Sequence, residues 1–447
     1  MRGNPPFRGE ESRTVRSLPN NPKEEQMKRT LTVALVGAGM FGGDVHLRTY
    51  CQLERHGLLP WLGRLGLDTL ARPLGDVEIR FVALGTRTPA TCTAQRQAFG
   101  EQGMDFATYH GETPWLDILN DFPDLDILAV ATPDHLHTPP ILAALRAGVH
   151  VLTEKPMALD AREADEIISA SRQANRLVGV DMHKRYDPDH LQIRNHISRH
   201  IGHPLYGTAL LEEPLAVSTQ VFRAWAEKSD PFSYVGCHWT DLFVANFKVK
   251  PVSLHAVGQK KKLREEYGMD AFDAVQVKVQ FDNGMSIDFH NSWILPEGFE
   301  GAVNQESRLF GTNGLVESDT QYRGLRYASA STGMRTANVH MTRNVQREDG
   351  TQAYCGYGVD SVVVCVTKIA QMKFLGASLA DLAGTYPDAE EARLSVLIVH
   401  AAREVAQRNQ RYLEAGKGAP VTALFDAKGI TLFDPYAGND LIYDRPV

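Results

Sequence analysis

Cysteine is scarce in this chain. Its 447 residues include five, Cys51, Cys92, Cys237, Cys355 and Cys365. That is too few, and an odd number, for a disulfide framework. No two stand as C-x-x-C, so no structural zinc site is expected. Long hydrophobic runs are missing as well. The longest, from Ile127 to Thr132 and from Val362 to Val366, are the size of a strand or a core-helix segment, against the roughly 20 residues a bilayer span needs. Nor is positive charge in excess. Forty-seven Lys plus Arg stand against 54 Asp plus Glu, a formal net charge of −7, which offers no global attraction for nucleic acid or anionic lipid. The first 26 residues hold four prolines and nine charges without an apolar stretch, unlike a secretory signal. No internal repeat or low-complexity block stands out. The expectation is a reduced, soluble, cytoplasmic protein with no metal and no nucleic-acid or membrane partner.

What is present is an ordinary globular composition, 43% hydrophobic and 23% charged, long enough for two or three domains. Residues 1–28 lack a hydrophobic period and read as a flexible arm. From Leu31 strand and helix signals alternate. Apolar runs at Leu31–Val36, Ile79–Leu84, Asp126–Thr132, Val149–Thr153 and Leu177–Met182 read as buried strands. Thr88–Pro89, Thr113–Pro114 and Asp160 with Glu163 read as helix starts. Unbroken apolar strands alternating with helices predict a parallel sheet covered on both faces. A Leu/Gly/Pro-rich stretch, 56–76, reads as a surface insertion that could reach the mouth of a cleft.

After about residue 183 the texture shifts to partial alternation, at Val252–Val257, Ala274–Phe281, Met285–His290, Ser307–Phe310 and Leu315–Ser318. Asp282-Asn283-Gly284 supplies a hairpin signal, and late helices are expected at Asp360–Phe374 and Ala389–Arg408. The fold expected is α/β: an N-terminal doubly wound parallel sheet over 29–183, then a second α/β domain with an open, mostly antiparallel sheet over 184–423, and a tail over 424–447.

Between the first strand and its helix stands Gly37-Ala38-Gly39-Met40-Phe41-Gly42. In G-x-G-x-x-G the first glycine makes the tight turn, the second lets backbone approach a pyrophosphate, and the third packs helix on strand. The helix N-terminus then faces the phosphates. An NAD site wants a carboxylate at the end of the next strand. This chain reads Gly85-Thr86-Arg87-Thr88 there. Thr86 can donate a hydrogen bond and Arg87 can pair with a 2′-phosphate, so NADP is expected, with NAD possible.

Two further motifs, Ala131-Thr132-Pro133-Asp134-His135-Leu136-His137 and Thr153-Glu154-Lys155-Pro156, make the chain resemble the glucose–fructose oxidoreductase/inositol dehydrogenase (Gfo/Idh/MocA) family. The resemblance is strong from about Thr30 to Pro188 and fades towards Ala423. It implies a Rossmann domain, nicotinamide-dependent chemistry on sugars, inositols or related polyols, and a homodimer or homotetramer built through the second domain's sheet. It places Thr132, Pro133, His137 and Glu154 beside the cofactor and Lys155 next to the nicotinamide. The stretch Val235-Gly236-Cys237-His238-Trp239-Thr240-Asp241 resembles the family's Gly-x-His-x-x-Asp segment, which implies His238 as acid/base and Asp241 in the substrate pocket beside Trp239. The chain departs from the inositol dehydrogenases by carrying Tyr234 where they have an aspartate. Lys184-Arg185-Tyr186-Asp187-Pro188 resembles a family turn and suggests a domain-junction or substrate-side role for Arg185.

Hydride exchange at a carbinol carbon leaves a proton to be handled on oxygen. Lys155 and His238 are the pair expected there, with Tyr234 as a third donor. His183, His190, His196, His200 and His203 look like a solvated histidine-rich stretch, with His196 and His200 as i,i+4 partners on a helix. Trp293 and Asn304-Gln305 fit a sugar pocket or an ordinary sheet equally. The expected activity is NADP-dependent oxidoreduction of a sugar, inositol or cyclic polyol. The alternatives are a cofactor-retaining glycosidase working by transient oxidation and elimination, and a non-catalytic nicotinamide-binding sensor.

Overall fold

The computed structural model describes residues 29–319, 325–331, 333–348, 350 and 352–445; the arm 1–28 lies outside them. Six strands form a parallel sheet: β1 (Thr30–Val36), β2 (Glu78–Thr86), β3 (Ala107–His110), β4 (Ile127–Val130), β5 (His150–Thr153) and β6 (Val178–Val180), in the order β3-β2-β1-β4-β5-β6. The four residues of β4 and of β5 are all buried, as unbroken apolar runs with helices on both faces require. The strand order reverses beside β1, so the crevice at the carboxyl ends of β1 and β4 is where a ligand belongs in such a sheet. β3 carries no apolar run, and the sequence pattern missed it.

The second sheet has nine strands: β7 (Pro204–Pro214), β8 (Pro251–Gln259), β9 (Ala274–Phe281), β10 (Ser286–Leu295), β11 (Asn304–Gly311), β12 (Gly314–Asp319) and three described below. β7 and β10 run parallel, and β9 pairs with β10 through the expected Asp282–Gly284 hairpin. Along β9 buried and less buried residues alternate, so one face lies on the core and the other stays open. The helices Cys237–Phe247 and Ala389–Glu414 cover the inner face. Two short hairpins follow β12: β13 (Leu325–Ser329) with β14 (Gly333–Ala337), and β15 (Arg343–Gln346) with β16 (Gln352–Cys355).

Three expectations need correction. Of the expected tail 424–447, the described residues 424–445 are folded. β17 (Thr422–Phe425), β18 (Gly429–Phe433) and β19 (Asp440–Asp444) extend the second sheet beyond β8, with Ile430, Leu432 and Tyr443 buried. Pro, Gly and Asp punctuate turns between strands too short to show a period. The stretch 56–76 is folded into short helices. Leu58, Trp61, Leu62 and Leu74 are buried with the β1–β2 face, and Arg64 pairs with Asp360. Its apolar residues fill the flank of the first core and do not lead to the cleft. Lastly, the helix Tyr357–Leu375 belongs by packing to the first domain, since Val359, Val362, Val363 and Val366 join the core over Leu31, Val33 and Leu35. The helix Ala389–Glu414 joins both cores: Ala389, Ala392 and Val396 pack under the first sheet, and Ile398, Ala402 and Val405 pack on the second. No helix among the described residues is long and apolar enough to cross a membrane.

Candidate active site

The glycine turn has the shape a dinucleotide needs. Gly37 has φ +92°, and a Cβ there would collide with the Ala131 carbonyl at the end of β4; one at Gly42 would collide with the Gly37 carbonyl. A Cβ at Gly39 would meet nothing within 4 Å. The first and third glycines therefore close the fold, and the second leaves a cradle open to an incoming phosphate. Gly39→Ala should weaken dinucleotide binding about tenfold with an unchanged melting temperature, whereas Gly37→Ala should lower stability itself; fluorescence titration and thermal melts separate the two. Met40 is exposed, and Phe41 turns inward to stack on His183 at 4.8 Å.

At the end of β2 the Thr86 hydroxyl donates to the Thr88 carbonyl at 2.8 Å, which holds the loop in shape. Arg87 is exposed, with Glu112 3.5 Å away. Thr132 and Pro133 lie at the end of β4. His137 stands behind them, with its ring nitrogens 2.8 Å from the Pro156 carbonyl and 2.9 Å from the Thr132 carbonyl. Burial, partly offset by Asp134, holds this histidine below its usual range. The neutral ring can donate to only one of the two carbonyls. His137 is thus a strut between the two motif loops.

Lys155 follows β5 and is buried. Its Nζ donates to the Tyr234 carbonyl at 2.8 Å and lies 4.1 Å from the centre of the Tyr234 ring. Tyr234 thus offers Lys155 a carbonyl and an aromatic face; burial raises its phenol well above 10, so it remains protonated. Phe222, Trp225 and Trp293 complete an aromatic wall around it, at 4.6, 5.7 and 6.4 Å. Glu213 at the end of β7 accepts from the Trp293 indole at 2.9 Å. Its carboxyl is pushed up to about 7 by burial, with Lys155 and the indole pulling the other way.

His238 is the second residue of the helix Cys237–Phe247 and is buried. Burial, then the charge of Lys155, then His183, Lys184 and His190 hold it well below 6.5, so it is neutral. Its ring lies 4.6 Å from that of His183 at an angle of 64°. His183 was missed. One of five histidines in a polar stretch, it looked solvated, yet it is buried against Phe41 and Tyr357. The expected helix through His196 and His200 is absent, because the helix ends at Asn195.

Two substrate-side expectations are overturned. Trp239 is a core residue whose indole donates to the Leu210 carbonyl at 2.9 Å. Asp241 is taken up by Arg185, with guanidinium contacts of 2.7 and 2.6 Å to its two oxygens, and Arg185 also pairs with Glu391. Arg185 is therefore a clamp between the end of the first domain and two helices of the second. The buried bidentate pair holds both side chains at the domain junction.

The sequence also gave no sign of the ion triad behind Lys155. His46, on the wide helical turn after the glycines, places Nε2 2.8 Å from Glu154 and 3.5 Å from Asp181. Burial would lower its pKa, but Asp181 and Glu154 raise it to about 9. Ligand atoms of the three lie within 4.8 Å of one another, a spacing a metal ion could use; the His46 imidazolium supplies the cation there.

Residues 31–182 match the oxidoreductase family with an NAD-binding Rossmann fold (GFO_IDH_MocA), and residues 191–317 match the GFO/IDH/MocA C-terminal domain. The chain belongs to this family. It is 27% identical over 292 residues to the 1,5-anhydro-D-fructose reductase of Ensifer adhaerens, covering 63% of this chain and 84% of that one. To the inositol 2-dehydrogenase of Salmonella typhimurium (strain LT2) it is 29% identical over 178 residues, 39% of this chain and 44% of the relative, less than half of that enzyme's length. The fold is that of scyllo-inositol dehydrogenase from Lactobacillus casei, solved with NAD(H) and scyllo-inositol, with TM-score 0.59 and 15% identity over 85% of this chain and 98% of the other.

Proposed function

We propose that the protein is an NADP-dependent oxidoreductase that moves a hydride between nicotinamide C4 and a carbinol or carbonyl carbon of a sugar, inositol or related cyclic polyol. The observation that carries this reading is the placement of Lys155. Its ammonium rests on the carbonyl of Tyr234, four residues before His238, at the carboxyl ends of the strands that bear the glycine turn. Bound there, the nicotinamide would supply the two-electron chemistry. The protein's own residues do the rest. Gly37, Gly39 and Gly42 shape the phosphate cradle, and the Lys155 ammonium holds negative charge developing on the reacting oxygen. Neutral His238 accepts the proton of a hydroxyl in one direction and returns it in the other. The names of the two curated relatives, an anhydrosugar reductase and an inositol dehydrogenase, support this substrate class. The resemblance to the family implies a homodimer or homotetramer built through the open sheet, and we carry that assembly as part of the proposal.

The test is a panel of cyclic polyols and keto-sugars, followed at the 340 nm band of reduced nicotinamide. Stoichiometric turnover with exchangeable NADP is expected. Turnover without net change in the cofactor would favour a cofactor-retaining glycosidase, and binding without turnover a sensor. The preference for NADP rests on Arg87, which is exposed at the end of β2 where an NAD site has a carboxylate. Arg87→Asp should lower the NADP/NAD affinity ratio by about ten- to a hundredfold. An unchanged ratio in paired titrations would remove Arg87 from the 2′-phosphate.

A further inference from the structure

His238 is a weak base where it stands. Lys155 and Lys184 face it with positive charge, and His190 and His183 flank it. A lone imidazole in such a place would resist the proton that oxidation of an alcohol delivers. What sets it apart is its neighbour. The His183 ring is fixed between Phe41 of the glycine turn, 4.8 Å away and nearly parallel to it, and Tyr357 at the start of a first-domain helix, 5.7 Å away. Its contact with His238 spans the two domains. Nδ1 of His183 and Nδ1 of His238 are both buried, and neither has a hydrogen-bond partner among the described residues. Buried polar nitrogens are normally bonded, so two orphans on adjoining rings call for an explanation.

We propose that His183 is the positioning partner of His238, the two imidazoles sharing through their Nδ1 atoms the positive charge that the substrate's proton brings to His238. This rests on the oxidoreductase reading above. In the oxidising direction the substrate O–H breaks and its proton passes to Nε2 of His238. The C–H pair leaves as hydride to an oxidised nicotinamide, and the carbon–oxygen bond becomes a carbonyl. A turn of the His238 ring about Cβ–Cγ then lets its Nδ1–H donate to the lone pair on Nδ1 of His183. In the reducing direction each move runs backwards. Before that turn the two Nδ1 atoms are not within hydrogen-bond reach of each other, which leaves both without a partner. Burial holds His183 itself down to about 3, with Asp181 raising its proton affinity and Lys155, Lys184 and the His46 imidazolium lowering it. Spreading the new charge over two rings is how this pocket accommodates it.

The test uses the full chain saturated with NADP, labelled with 15N in the histidine rings. Its variants are His183→Phe, which keeps the stack on Phe41 and Tyr357 without a nitrogen, and His183→Asn, which keeps an acceptor. In His183→Phe the proton affinity of His238, read from its ring 15N shifts, should fall about ten- to a hundredfold, with partial recovery in His183→Asn. An unchanged or higher affinity would make His183 a wedge or a source of repulsion and overturn the proposal. Should both variants misfold, the wild-type spectrum decides. The two Nδ1 signals move together with pH if the proton is shared, and separately if it is not. With whichever polyol of the panel is turned over, His183→Phe should lower the plateau kcat for oxidation, move the acid limb of its pH profile to lower pH and leave KM unchanged. If no polyol is turned over, the oxidoreductase reading fails while the 15N result still decides the pair.

Discussion

Lys155→Ala should lower kcat by about two to four orders of magnitude and leave nicotinamide-dinucleotide affinity within about twofold. The expected split follows from where the ammonium is held. Its hydrogen bond goes to the Tyr234 carbonyl and its charge faces the Tyr234 ring, both contributed by the second domain. The phosphate cradle is made by Gly37, Gly39 and Gly42, whose geometry depends on Ala131 and on the turn itself. Truncating Lys155 removes charge from the reacting oxygen and leaves the dinucleotide contacts intact. It also removes the cation that opposes the effect of burial on Glu213, whose carboxyl should titrate above its present value of about 7. Single-turnover absorbance at 340 nm and a binding titration measure the two quantities separately. Retained turnover would remove Lys155 from the chemistry, and parallel loss of turnover and dinucleotide binding would make it a cofactor anchor.

How far the sequence disclosed this arrangement depended on the kind of signal. Buried parallel strands gave unbroken apolar runs, so β1, β2, β4, β5 and β6 could be read within a few residues. β3, with Thr, Tyr and His, could not. Short strands set between Pro, Gly and Asp looked like a tail, because pairing with β8 is a non-local event that no local pattern encodes. In the site, the residues found were those on motifs whose spacing reports local geometry, the glycine turn and Glu154-Lys155-Pro156. Those missed are partners across elements. His46 lies 108 residues from Glu154 in sequence, and His183 meets rings at positions 41, 238 and 357. Asp241 and Arg185 were misread for the same reason: two charged residues 56 apart satisfy each other, which neither segment shows alone.

The second large effect belongs to the triad. His46→Ala should cost about 3–5 kcal/mol of folding stability, because breaking a buried ion pair from one side leaves carboxylate charge without a partner. Asp181 is held below its usual range despite burial, with His46 its principal support; Glu154 is raised by burial and by Asp181, with His46 opposing. The pH dependence carries a definite sign. With a folded value of about 9 against 6.5, His46 keeps its proton in the native state at pH values where the unfolded chain has lost it. Its contribution is complete below about 6.5 and disappears as pH rises through 9, a span of roughly 3 kcal/mol. Urea denaturation of both proteins at pH 6, 7, 8 and 9.5 reads this as a difference, in which titrations common to the two cancel. The gap should be widest at pH 6 and narrow towards pH 9.5, where wild-type His46 is itself neutral between its two acids. A gap that stays constant across the range would mean that His46 acts by filling space. A gap that widens with pH would mean that it is neutral in the folded protein, leaving Glu154 to carry the proton of the triad.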